Sequence, residues 1–129
     1  MNMDNKKIAV VGTICLDATP GFYESQRVER IGELMKPGKL INIDVMNNNA
    51  GGVLANTGLA LKKFGSDVVL VGKHGDDAYG QILHQIFESY DAAGHLICGE
   101  NESTSYTLVI APPGIDRIFL HHMGNLQDS

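Results

Sequence analysis

Two adjacent glycines, Gly51 and Gly52, stand where a helix should begin, and an asparagine, Asn56, follows four residues after the second. Glycine has no Cβ, so backbone N–H groups at such a helix start can approach a ligand closely. Asn56 falls on the same helical face as Gly52. Its amide both donates and accepts, which suits a polyol. A carboxylate, Asp17, follows the first apolar run of the chain. Ligands of open α/β sheets gather at the C-terminal ends of the strands, so Asp17 is placed for binding. Each feature also has a plain structural explanation. The glycines can be a turn into a buried helix with Asn56 bonded to a nearby loop, and Asp17 can cap a turn before Pro20-Gly21. The glycine spacing is not the G-x-G-x-x-G dinucleotide fingerprint.

The elements that must position these residues follow from the apolar pattern. Lys7-Ile8-Ala9-Val10-Val11-Gly12 reads as a strand buried on both faces, and Asp67 to Gly72 as a second. Between them, Val53 to Phe64 is a mostly apolar helix closed by Lys62, Lys63 and Gly65. Gln81 to Tyr90 has the clearest amphipathic spacing, with Asp76 or Asp77 able to cap its start. Leu96-Ile97-Cys98 reads as a short third strand. Strand, helix, strand, helix, strand predicts a parallel sheet. Val28, Ile31, Leu34 and Met35 have helical spacing, and His74 reads as a loop residue. Leu40 to Met46 alternates as a strand with one wet face, and Asn47-Asn48-Asn49 reads as a turn. Ser103 to Ala111 and Arg117 to His122 form a hairpin around Pro112-Pro113-Gly114. Joined to the 40–46 strand, the hairpin predicts a small second sheet, a plausible lid.

Composition narrows the class. The chain has 129 residues, 43% hydrophobic, and a net charge of −5, which fits one globular domain and does not steer it to nucleic acid or an anionic membrane. The polar start, Met1 to Lys7, does not resemble a signal peptide, and no stretch reaches transmembrane length. Two cysteines, Cys15 and Cys98, do not make a disulfide framework, so a reduced, cytoplasmic protein is expected. His121 and His122 are adjacent in a strand and point to opposite faces, so they do not chelate one metal as a pair.

The order of these pieces resembles the N-terminal part of the ribokinase-like, or pfkB-type, carbohydrate kinases. The matching residues are Asp17 after strand one, Gly51-Gly52 followed by Ala55-Asn56, the run Gly72, Gly75, Asp77, Gly80, and the hairpin beginning Glu102-Ser103-Thr104. The resemblance covers nearly all of residues 1–129. It implies a Rossmann-like three-layer α/β fold with a β-sheet lid at about 40–46, 104–111 and 117–122. It also implies a sugar held by Asp17, Gly51, Gly52 and Asn56, with Tyr106 as a lid contact, and a homodimer formed through the lid. Cys15 stands where ribokinases usually carry an Asn, and Val53 where they carry a Lys, which points away from ribose and leaves a sugar-type alcohol or nucleoside.

Kinases of this type run to about twice this length. Their C-terminal half carries an Asp-x-x-Gly-Ala-Gly-Asp signature that holds the transferred phosphate and supplies the catalytic base, and ATP with magnesium binds there. Nothing in residues 1–129 matches that signature. The resemblance therefore implies a substrate-binding half, inactive by itself and without a bound cofactor. Two other readings remain open: a non-catalytic sugar-binding or dimerising half-fold, and a small Rossmann-like nucleotide-binding protein using the Gly51-Gly52 helix start.

Overall fold

The computed structural model describes residues 7–125. Most of the polar start used in the signal-peptide argument and the last four residues lie outside them. Among the described residues, seven strands form two sheets. β1 (Ile8–Val11), β4 (Val68–Gly75) and β5 (Leu96–Gly99) make an all-parallel sheet in the order β1-β4-β5. β2 (Cys15–Pro20), β3 (Met46–Gly51), β6 (Tyr106–Ile110) and β7 (Ile118–His122) make a mixed sheet in the order β3-β2-β6-β7. The parallel sheet and the β6–β7 hairpin lie where the apolar runs place them.

The core forms where the two sheets meet. Ile14, Leu16, Leu54, Leu70, Leu83 and Phe87 are buried in one cluster. Leu83 and Phe87 come from the inward face of α2 (Ala78–Ser89), so the amphipathic spacing of that helix translates directly into burial. Asp77 caps α2, accepting a hydrogen bond from the Gly80 N–H at 3.0 Å.

Several expectations are overturned. β1 is an edge strand and not a strand buried on both faces: Val11 is 71% exposed. The alternating stretch 40–45 is not a ladder strand; only Asp44 and Val45 touch β2's extension, through Asp44 N–H to Gly21 O (2.7 Å) and Gly21 N–H to Val45 O (3.0 Å). The Asn47–Asn49 run is not a turn but the body of β3, paired antiparallel with β2 from Cys15↔Gly51 to Pro20↔Met46. Ladder bonds are made by backbone, so a stretch of weak β formers can pair where one side stays wet. Met46 to Asn49 are exposed accordingly. The spacing at 28–35 yields one short 3₁₀ turn, Ile31–Glu33, in place of a helix, and a second, Glu24–Gln26, precedes it. The central helix begins as a π-helical stretch, Leu54–Leu59, and continues as α1 (Ala60–Lys63).

His74 is not in a loop. It lies in β4, 4% exposed, with Nδ1 2.8 Å from Gly75 O and Nε2 3.3 Å from His84 Nδ1. β4 therefore extends three residues past the apolar run, into the glycine-rich segment. That segment is a structural joint. A Cβ on Gly80 would collide with Gly75 O and stand 2.9 Å from Thr104 Oγ1. Buried Thr104 accepts from Gly75 N–H (2.8 Å) and donates to Asp77, clamping β4, α2 and the start of the hairpin together. No helix among the described residues is long and apolar enough to cross a membrane.

Candidate functional site

Asp17 sits in the middle of β2, the strand of the small sheet flanked by both β3 and β6. Its ladder partners are Asn49 on β3 and Thr107 on β6. Directly paired residues project from the same face of a sheet, so a carboxylate, an amide and a hydroxyl stand side by side. Cys15 lies two residues before Asp17 on that face and pairs with Gly51. Gly51 has no side chain, and the carboxylate occupies the space: a Cβ there would lie 2.6 Å from Asp17 Oδ2 and 3.1 Å from Cγ. Cys15 Sγ is 3.8 Å from Asp17 Oδ1 and 3.6 Å from Thr107 Oγ1, and Thr107 Oγ1 is 2.8 Å from His121 Nδ1.

This face lines a cavity of about 470 Å³ that holds Asp17, Thr19, Asn49, Thr107, Arg117 and Phe119. That volume falls within the range of small-molecule sites, roughly 300–1,000 Å³. A carboxylate offers only acceptors, while the amide and the hydroxyls offer both roles. Val109, Ala111 and Phe119 add apolar surface to the same cavity. Hydroxyl-binding groups beside an apolar floor match a sugar, which presents hydroxyls along its edges and C–H groups on its faces.

A neighbouring cavity of about 680 Å³ is more apolar, lined by Gly12, Cys15, Gly52, Gly72, Ile97 and Met123 among others. It opens at the ends of β1 and along β4. Gly52 has φ +88°, a conformation other residues rarely adopt, and a Cβ there would lie 2.6 Å from Thr13 O. The same Thr13 carbonyl accepts from Leu54 N–H at 3.1 Å. The helix start is therefore stitched to the β1–β2 connection, which occupies one of the N–H groups a phosphate would use. Among the described residues, no three His, Cys, Asp or Glu side chains are grouped to hold a metal ion.

The structure brings together Asp17 and Gly51, with Gly52 at the mouth of the adjoining cavity. It does not bring Asn56 to them. Asn56 lies in the π-helical stretch Leu54–Leu59 that follows the glycines. Asn56 is exposed, lines neither cavity and makes no side-chain hydrogen bond among the described residues, so the loop bond considered for it is not formed. Tyr106 lies on the opposite face from Asp17, because its ladder partner is Leu16. Its ring packs on Tyr79 and His122, with centroids 4.6 and 5.1 Å away. Thr107, one residue on, takes the place expected of it. Asn49, Thr107 and Arg117 are the residues sequence reasoning missed, and only the strand register reveals them.

The family model of pfkB family carbohydrate kinases matches residues 5–125. The chain belongs to the pfkB family of carbohydrate kinases. This pfkB chain is 36% identical over 104 residues to the bifunctional protein HldE of Hydrogenovibrio crunogenus, a match covering 78% of the chain and 20% of that protein. Its fold is ribokinase-like. Ribokinase from Giardia lamblia superposes with a TM-score of 0.71 at 16% identity, over 92% of this chain and 36% of that one. Ribokinase from Cryptococcus neoformans var. grubii serotype A, solved with ADP, gives 0.65 at 22% identity, over 92% and 35%. The nucleoside kinase of Burkholderia thailandensis, solved with inosine, gives 0.61 at 17%, over 92% and 37%. The pfkB chain thus spans a fifth of its curated relative and little more than a third of these solved kinases, less than the half expected.

Proposed function

We propose that this chain forms the substrate-binding part of a carbohydrate kinase that transfers phosphate from ATP to an alcohol group of a sugar or nucleoside. The observation that carries the reading is the Asp17 carboxylate lying over Gly51 with Asn49 and Thr107 beside it, an array of hydroxyl-binding groups on one sheet face. Asp17 accepts from substrate hydroxyls and holds the alcohol in place. Asn49 and Thr107 complete its hydrogen bonds. Gly51 and Gly52 let the β3–helix turn approach the substrate, and Asn56 stands one turn further along the same helix. The small sheet serves as the lid, and β7, its hairpin edge, as the dimer contact.

ATP, with magnesium, would supply the transferred phosphate in the whole kinase. The Asp-x-x-Gly-Ala-Gly-Asp signature that the family resemblance assigns to the phosphate and the base does not occur in residues 1–129, so the catalytic step is assigned outside them, and the 129 residues by themselves bind substrate without turning over ATP. Calorimetry of the chain against a panel of neutral sugars and nucleosides tests the reading. Asp17→Ala should lower affinity about ten- to a hundredfold, the equivalent of hydrogen bonds to a charged acceptor worth about 1.5–3 kcal/mol. Unchanged affinity across the panel removes Asp17 from the site.

A further inference from the structure

We propose that His121 is a positioning residue of this site: it decides whether the Thr107 hydroxyl donates to the substrate, and so ties the grip on an alcohol to its own protonation. The inference rests on the sugar reading above and adds its regulation. The register sets four polar side chains in one row across the small sheet: Asn49 on β3, Asp17 on β2, Thr107 on β6 and His121 on β7. Residues paired in this way share one face. Asp17 and Thr107 line the first cavity, and His121 lines the second, so the row bridges the two. Thr107 Oγ1 is 2.8 Å from His121 Nδ1, a short bond, and 3.6 Å from Cys15 Sγ, a weak one.

Counting protons gives the consequence. A threonine hydroxyl carries one proton, and an ionised carboxylate only accepts. An alcohol that donates to Asp17 therefore needs a donor for its own oxygen. Asn49 offers one on the β3 side. On the β6 side the Thr107 proton is the one at hand, and His121 competes for it. With Nδ1 unprotonated, the imidazole takes the Thr107 proton, and the alcohol meets one acceptor beside another. With both ring nitrogens protonated, His121 donates to Thr107 Oγ1, and the hydroxyl turns its proton to the substrate. A neutral ring can hold its single proton on either nitrogen; an imidazolium has no such choice. Alcohol binding and protonation of His121 thus favour each other, and the coupling is reciprocal. The titratable and charged groups that share its surroundings are Cys15 and Asp17 on β2, Lys73 on β4, held by Glu102 at 2.6 Å, and Arg117 just before β7. His122 projects from the other face, 3.0 Å from Ser103 Oγ.

Calorimetry of the 129-residue chain with fructose, ribose and inosine at about pH 5.5 and 7.5, a window in which histidines change charge, tests this. Carboxylates ordinarily titrate below the window and thiols above it. At least one compound should bind about two- to tenfold tighter at the lower pH, the worth of one neutral hydrogen bond. Thr107→Val should bind that compound weakly and equally at both pH values. His121→Asn, whose amide N–H stands in for Nδ1–H, should bind it equally at both and about as tightly as the wild type does in acid. A pH dependence that survives in either variant overturns the proposal. Wild-type binding that is equal at the two pH values, or tighter at the higher one, overturns it and leaves the sugar reading standing. His121→Asn binding as weakly as Thr107→Val overturns it too. Failure of every compound to bind at either pH overturns the sugar reading itself, and this proposal with it.

Discussion

Thr104 gives both its backbone N–H (3.0 Å) and its hydroxyl (2.5 Å) to the carboxylate of Asp77. Burial alone would raise the carboxyl's pKa, but these two bonds and the Gly80 N–H bond outweigh it, and the group ionises below the ordinary carboxylate range. A pKa lowered in the folded state stabilises above the unfolded value, and the contribution disappears as pH falls through the folded value. Asp77 thus stabilises fully at neutral pH and loses its contribution in acid, below about pH 4. Urea unfolding between pH 7 and 3 should show stability falling less steeply in Asp77→Asn than in the wild type. Identical slopes would assign the acid limb to other groups.

Thr104→Val keeps the side chain's shape and removes its hydroxyl. The buried Gly75 N–H then loses its acceptor, an uncompensated group costing about 1–3 kcal/mol. The denaturant midpoint should drop accordingly with little change in m. A midpoint equal to wild type would show that the joint between β4, α2 and the hairpin does not depend on this hydroxyl.

Gly51→Ala separates site geometry from stability. The new methyl group enters the space of the Asp17 carboxylate, and Gly51 does not have positive φ, so the backbone accepts alanine. Sugar affinity should fall about tenfold or more, as with loss of hydrogen bonds to a charged acceptor, while unfolding changes little. Gly52→Ala should show the reverse order of effects, with stability lost first, because of its φ of +88° and the nearby Thr13 carbonyl.

Leu120 is 56% exposed on β7, the edge strand of the small sheet. If a second copy covers this edge, light scattering should give a dimer, and Leu120→Lys should give a monomer with unchanged circular dichroism. A monomeric wild type at all concentrations removes the dimer contact from the lid.

The chain with ATP, magnesium and the sugar and nucleoside panel should release no ADP above background. Sugar-dependent release that stays with this chain through purification, with no longer enzyme present by mass spectrometry, overturns the proposed division between binding and catalysis.

The parallel sheet and α2 were legible because consecutive valines and a 3.6-residue apolar period each have one good structural solution. Asp17 and Gly51 were legible as candidates by residue type and place. Their neighbours were not, because strand pairing decides them. Asn47 to Asn49 carry no β signal of their own and pair because β2 offers them a ladder. Tyr106 and Thr107 differ by one residue, and in a strand one residue is the difference between two faces. The alternation at 40–45 was a true pattern that finds the Gly21 backbone but no ladder. Arg117 has no local signature at all; it matters only because the register sets it on the same face as Asp17.

The contact between Tyr79 and Tyr106 has an optical consequence. The chain has no tryptophan and four tyrosines, so tyrosine dominates its near-ultraviolet spectrum. Two of the four face each other from α2 and β6, with ring centroids 4.6 Å apart and planes tilted by 38°. Aromatic rings fixed this close in a chiral frame give a near-ultraviolet dichroism that vanishes when tertiary packing is lost. The junction of the small sheet with α2 therefore carries a chromophore pair, and the seating of one on the other can be followed without an attached dye.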